Sequence, residues 1–513
     1  MEPAVLIIIT ALSVFGAIIG MQLIVSLGIS ANTSIIGAMV AMVVARLPMA
    51  VARRFRSLDR QNLAQTAISS ATFGAANSIM IPIGIPYVMG MPELVMPMLI
   101  GVAIAMVVDA TMLYRLFGSK IFPATGTWPA GVATAETIWA GDQGGRKAGF
   151  LGVGLVAGVA GAWAGIPMSA FGVAFLGNLA ALTMFGVGLL VRGYSVPVAG
   201  IDIAKAYIPH GLMIGAGLVA LVQVVVEIRR SQSATSPVSG IDVPARQATR
   251  VLGAGFVAYL VIALLIVLMT GRVSELPIGT LVLFIVYAAV AAYVHELIVG
   301  IAAMHSGWFP AFAVALITLT IGILIGFPPF ALAMLAGFSA ATGPAFADMG
   351  YDLKTGFLLR GEGRDMQAEL EGRRQQFFAA MVGFVVAAVV VFFFHDGLFA
   401  RNLVPPIDRV YAASIKAGTS MEIARNLALW AIPGAILQAI GGAKRQLGVL
   451  LSTGMLIAAP LAGWAVLAGL LIRWGLARMY GNRFNAEMNT FAGGVIGGDA
   501  LFGFFGSVSK LGK

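Results

Sequence analysis

Apolar residues run in long blocks along this chain, and charged residues are gathered in the gaps between them. The first block follows Met1-Glu2-Pro3 directly and extends from Ala4 to Leu27. Further blocks occupy about 33–51, 66–88, 95–115, 121–140, 147–165, 169–191 and 205–227. After a polar stretch they resume at about 250–270, 277–303, 308–326, 329–348, 376–394, 427–441, 447–472 and 489–508. Most are near the roughly 20 residues that a helix needs to cross a bilayer. The pattern predicts an all-α polytopic membrane protein of about 16 transmembrane helices. These fall into two halves of about eight, 1–227 and 251–513, joined by a cytoplasmic linker at 228–250. The block 4–27 lacks the basic flank of a secretory signal and reads as a retained first span. The block 427–441 is short enough to be re-entrant.

Composition agrees with this class. Of 513 residues, 59% are hydrophobic and only 11% are charged, with a mean hydropathy of +0.94. A water-soluble globule needs far more charge than that. The chain has no cysteine, which removes disulfides, thiolate metal sites, Fe–S clusters and cysteine nucleophiles. The net charge of +10 sits in short loops, where Lys and Arg mark the cytoplasmic side. Clusters at Arg53, Arg54, Arg56 and Arg60, at Arg229, Arg230, Arg246 and Arg250, at Lys354 to Arg374, and at Lys444 and Arg445 all follow an even-numbered span. Both termini are therefore expected to be cytoplasmic. The loop His395–Arg425 then falls outside, although it carries Arg401, Arg409, Lys416 and Arg425. With no soluble domain to present them, these cations are not a nucleic-acid surface. The absence of an import or secretion signal points to a cell inner membrane or plasma membrane.

The 64 glycines suit close helix approach in a bilayer. Gly154-xxx-Gly158, Gly161-xxx-Gly165, Gly211-xxx-Gly215 and Gly494-xxx-Gly498 all have the small-residue spacing. An even span count per half implies a parallel repeat if the halves are duplicated. Ala135-Glu136 before Arg146-Lys147-Ala148-Gly149-Phe150 faintly matches Ala347-Asp348 before Lys354-Thr355-Gly356-Phe357. Duplication stays open on this reading.

Ionisable and polar groups inside apolar blocks are costly, so each needs a reason. In 122–141, Pro123, Gly126, Pro129 and Gly131 argue against a regular helix over the first half. Irregular backbone at membrane depth is tolerated only in protein or along a cavity. Thr125, Thr127 and Thr134 would then offer hydroxyls to a polar solute, with Glu136 one turn on as a protonatable carboxylate. The alternative is an interfacial Glu at a span end. A second broken stretch, 69–87, carries Ser70, Gly74, Asn77, Ser78, Pro82 and Pro86. There Asn77 serves either a substrate or a neighbouring helix. In the second half, 337–348 runs through Ser339 and Thr342 to Asp348, and Asp499 lies in the last block. Asp109, six residues before Arg115, reads as structural. His210, His295 and His305 read first as packing residues.

Two enzyme readings fail. His295-Glu296-Leu297-Ile298-Val299 begins like a zinc-protease motif, but Val299 stands at the second ligand position. Tyr351-Asp352 and Asp499 approach an aspartyl-protease pair, yet Ile496 replaces a required glycine and Asp352 reads as part of a charged loop. No Gly-Lys-Ser/Thr phosphate loop is present. No cofactor is expected.

Three motifs carry a family resemblance. Phe122-Pro123 through Thr127 to Ala135-Glu136, closing on Ala140-Gly141, is the first. Asp352-Leu353-Lys354-Thr355-Gly356-Phe357-Leu358 with the downstream Arg373-Arg374-Gln375-Gln376 is the second. The third is Ala492-Gly493-Gly494-Val495-Ile496-Gly497-Gly498-Asp499. Together they resemble a prokaryotic member of the oligopeptide transporter superfamily, related to the yellow-stripe-like metal-chelate transporters. The resemblance implies sixteen spans and proton-coupled symport of peptides or metal chelates. It carries the second motif as a loop, and has Asp499 where that family more often has Glu.

The expected function is a secondary active symporter working by alternating access. Its partners are a small-molecule substrate, protons and the lipid bilayer, with homo-oligomerisation open. The expected binding residues are Glu136, Thr127, Thr134, Asn77, Ser339, Thr342, Asp348 and Asp499, with no metal ligands. The alternative is a passive channel for a small polar solute.

Overall fold

A computed structural model describes residues 3–28, 37–38, 41, 57–142, 146–231, 243–306, 311–418 and 421–511. The expected span 33–51 apart from 37–38 and 41, with Arg53, Arg54 and Arg56, and the linker centre 232–242 lie outside the described residues, as does the side chain of His305.

Among the described residues the fold is all helix, the sole β pairing being an isolated bridge between Phe117 and Phe122. Helices α1 (Pro3–Leu27), α2 (Leu58–Phe73), α3 (Ile81–Val88), α4 (Val95–Leu116) and α5 (Pro129–Asp142) come first. Then follow α6 (Arg146–Trp163), α7 (Met168–Leu176), α8 (Leu179–Ala199), α9 (Ile208–Ser231) and α10 (Ala245–Met269). Next are α11 (Ile278–Ser306), α12 (Ala311–Ile325), α13 (Pro329–Ala341), α14 (Pro344–Leu359) and α15 (Met366–Phe399). The last are α16 (Pro406–Ala417), α17 (Met421–Arg445), α18 (Leu447–Met455), α19 (Pro460–Tyr480) and α20 (Asn485–Leu511).

Among the described residues ten helical segments are long and apolar enough to cross a membrane. Several differ from the hydropathy blocks for local reasons. The block 121–140 is not one helix: residues 117–128 are irregular and α5 begins at Pro129, because prolines suit a first turn and not an interior. The block 169–191 divides at Gly177 and Asn178, whose side chain accepts from the Ala180 and Ala181 amides and starts α8. The block 447–472 divides likewise, α19 starting at Pro460.

The outward faces are apolar. On α10, Val257, Val261, Leu264 and Leu268 are exposed at helical spacing, as are Ile432, Ile436 and Ile440 on α17. Stripes of this kind suit acyl chains and not water.

Packing crosses the 228–250 segment. One core joins α2, α3 and α4 to α10, α11, α13, α14 and α15. A second joins α7 and α8 to α19 and α20, with Ile19 and Leu23 of α1. The glycine pairs form seams. A Cβ on Gly154 or Gly158 would sit 2.2 Å from a carbonyl oxygen of α20, and one on Gly494 or Gly498 would sit 2.3 Å from one of α6. Gly211 and Gly215 lie against Leu427 and Ala431 of α17 in the same manner. Gly161 instead abuts Met168, and Gly165, at φ +77°, turns the chain into α7.

Candidate functional site

The α2 sequence is polar where an apolar span would be expected. Gln61, Gln65 and Ser69 are spaced by four, as are Asn62, Thr66 and Ser70, so two neighbouring rows run along one helix face. All six are buried. Polar groups in such a place need partners, and α14 and α15 supply them.

Asp348 and Asp352 lie one turn apart on α14, both with no exposure. Ser69 Oγ donates to Asp348 Oδ1 at 2.6 Å, and Gln65 Nε2 to Asp352 Oδ1 at 2.6 Å. Ser70 Oγ lies 3.2 Å from Asp348 Oδ2 and 3.4 Å from Asp352 Oδ2. Gln376 of α15 donates through Nε2 to the Asp352 carbonyl at 2.7 Å, to Thr66 Oγ1 at 3.1 Å and to Asn62 Oδ1 at 3.3 Å. Its Oε1 accepts from Arg360, whose guanidinium also grips Glu369. Arg373 donates to the same Glu369 and to the Phe117 carbonyl. A chain of polar contacts therefore runs from a buried acid pair to a buried Arg–Glu–Arg group.

Both helices bearing this face are interrupted. Between α2 and α3 the chain is π-helical over Gly74–Met80, a segment that includes Asn77 and Ser78. Such one-turn widenings recur at functional sites. Between α13 and α14 the helix breaks at Thr342, which is extended, and Gly343, at φ +96°. Glycine is required at 343, since an L side chain rarely adopts that φ and a Cβ would sit 2.9 Å from Val299. The two broken helices run antiparallel. Gln65 meets Asp352, Ser69 and Ser70 meet Asp348, and Pro82 lies against Gly337.

The irregular segment 117–128 seals one flank. Trp128, at φ +35°, is wholly buried beneath α14, and Gly350 leaves room for its ring. Thr127 Oγ1 donates to the Met304 carbonyl at 2.5 Å, and Lys354 Nζ to the Ala124 carbonyl at 3.1 Å. At the far end of α3 a cavity of about 490 Å³ is lined by Tyr87, Val88, Gly90, Pro92, Asn402 and Arg409. Arg409 Nη2 lies 3.2 Å from Asn402 Oδ1.

The residues expected from sequence are distributed unevenly. Asp348 is at the centre, and Asn77 lies buried in the adjoining π segment. Ser339 shares a hydrogen bond with Thr318, and Thr342 donates to the Ala292 and Ser339 carbonyls beside the helix break. Thr134 bonds within its own helix, to the Ala130 carbonyl. Glu136 is exposed on α5. Asp499 belongs to a separate contact, accepting from the Ser169 amide and hydroxyl of α7 at 2.7 and 2.5 Å.

Asp352, Gln65 and Gln376 were missed from sequence. Asp352 and Lys354 are not in a charged loop. They lie inside α14 and are buried, because the polar rows of α2, Gln376 and the Ala124 carbonyl receive them. The spacing of Gln61, Gln65 and Ser69 was the available signal. Asp109 is buried as well, bound by Tyr259.

The family model described as OPT oligopeptide transporter protein matches this chain over residues 3–216 and 193–510. No curated protein matches it.

Proposed function

The chain belongs to the OPT oligopeptide transporter family, and from that premise we propose that it is a proton-coupled symporter of small oligopeptides or metal chelates. The observation that carries the reading is the wholly buried carboxylate pair Asp348 and Asp352 on an interrupted helix, facing a polar row on a second interrupted helix. Two carboxylates one turn apart in such surroundings hold one proton more readily than two charges. Protonating the pair lowers the cost of carrying a loaded site past an apolar gate. Ser69, Ser70, Asn77, Ser339 and Thr342 are the neighbouring groups for a substrate's amides and amine. We rank Glu136, Thr127, Thr134 and Asp499 behind them, since Glu136 is exposed, Thr134 bonds within its own helix, and Thr127 and Asp499 are engaged by Met304 and Ser169 away from the acid pair. Arg409 and Asn402, at the 490 Å³ cavity, suit a carboxylate, which peptides and chelators share.

Alternating access is supported by the way the halves pair. The antiparallel crossing of α2–α3 with α13–α14 has a counterpart in α8 and α19. There Gly193 meets Pro460, and Gly186 meets Leu467. The seams α6 with α20 and α17 with α9 exchange corresponding helices between the halves. We read 1–227 and 251–513 as two halves that rock against each other about the crossing. The faint match of 135–150 with 347–357 is not part of that correspondence, because α14 is already paired with α2–α3 in it. A cell inner or plasma membrane, with cytoplasmic termini, completes the proposal.

The test is accumulation of a labelled dipeptide, then of an iron–chelate complex, in proteoliposomes under an imposed inward proton gradient. The reading expects uphill uptake of one class that an uncoupler abolishes. Entry that stops at equilibrium would identify a passive facilitator.

A further inference from the structure

A second pair of buried acids lies beyond the site described above. Asp109 of α4 has no exposure, and both its oxygens are held. Tyr259 Oη of α10 donates to Oδ1 at 2.6 Å, and the Gly343 amide, at the start of α14, donates to Oδ2 at 2.8 Å. The N-terminus of a helix favours an anion there. Glu296 of α11 is equally buried, and neither of its oxygens has a hydrogen-bond partner among the described residues.

Helix geometry brings the two acids to one place. Thr342 donates to the Ala292 carbonyl, and Val299 lies against Gly343. Residues 292, 296 and 299 share one face of α11, so Glu296 faces the same helix break that Asp109 binds. Tyr259 adjoins both acids. Helices α12 and α13 bring no titratable side chain to α11. On α11 itself Tyr293 is near Glu296, and His295 turns to the Ala311 carbonyl. On α14, Asp348 and Asp352 turn to α2, and Lys354 to Ala124. His210 of α9 lies toward Arg192 and Arg409, and Glu136 of α5 is exposed.

We propose that Asp109, Tyr259 and Glu296 form a second proton-binding site, which holds one proton on Glu296 and one negative charge on Asp109. Tyr259 has a single hydroxyl proton and gives it to Asp109, leaving Glu296 to be neutralised by its own. Two bare carboxylates buried at one helix break would repel each other strongly. Because Asp109 also holds the Gly343 amide, loss of the Glu296 proton pulls directly on the α13–α14 break. No group of three or more His, Asp or Glu side chains placed to hold a metal ion occurs among the described residues. The proposal goes beyond the symport reading and needs no substrate for its test.

Infrared difference spectra of the purified protein, stepped through neutral pH in choline buffer, read the C=O stretch of protonated carboxyl groups. Glu296→Gln should delete one such band, and Asp352→Asn should leave that band in place. Tyr259→Phe should shift the Glu296 band without removing it, and this arm decides the matter if Glu296→Gln fails to fold. A band set unaltered by folded Glu296→Gln, or unshifted by Tyr259→Phe, overturns the proposal. So does loss of the Glu296 band on replacing choline with sodium at fixed pH. A null transport result with the Glu296 band confirmed would count against the symport reading alone.

Discussion

Ser70 has one hydroxyl proton and two carboxylate neighbours, at 3.2 and 3.4 Å. It can satisfy only one of them at a time, so the second oxygen is served only when a carboxyl proton is present. This makes the protonation state of Asp348 and Asp352 a matter of local geometry. Asp348→Asn, which mimics the protonated acid, should abolish gradient-driven accumulation while leaving substrate exchange, measured as counterflow in proteoliposomes. Glu136→Gln, at an exposed position, should accumulate substrate at a near wild-type rate in the same assay. Ser69→Ala removes the 2.6 Å bond to Asp348 and should cost about 1–3 kcal/mol, the usual penalty of an orphaned buried acceptor. A thermal melt in detergent measures it.

At the scale of the element, the glycine seams were legible and the first half of the polar helix was not. Gly154, Gly158, Gly494 and Gly498 announce themselves by spacing, and the structure packs the two motifs against each other. That half of α2 hid because hydropathy rewards apolar blocks, whereas Gln61, Asn62, Gln65 and Thr66 are buried by what they bond to. The same blindness turned Asp352 and Lys354 into a loop: charge in sequence reads as solvent unless its partner is known. Asp348 and the breaks at 74–80 and 342–343 were within reach, because proline, glycine and a lone acid each mark a departure from a plain span. Gly494→Leu should force α6 and α20 apart at a cost of about 1–3 kcal/mol or more, whereas Gly475→Leu, with open space around it, should melt like wild type. Glu369 holds Arg360 and Arg373 at 2.8 and 2.6 Å. Glu369→Ala leaves two buried cations facing each other and should destabilise by about 3–5 kcal/mol, read as a large fall in melting temperature.

For the whole molecule, the layout that matters is the exchange of helices between the halves. Each broken helix is supported by elements from both halves, so a movement at either break is transmitted across the crossing. Hydropathy counted spans and gave no sign of this, since pairing depends on which faces meet. The lack of native cysteine leaves the chain ready for paired labels on α2 and α14. The measurement that bears most directly on the account is the current from proteoliposomes when small peptides, and then iron–chelate complexes, are added at several pH values. Wild type and Asp348→Asn would be recorded side by side. The account predicts a pH-dependent inward current with one substrate class in wild type and none in Asp348→Asn. Equal currents from the two proteins would contradict it.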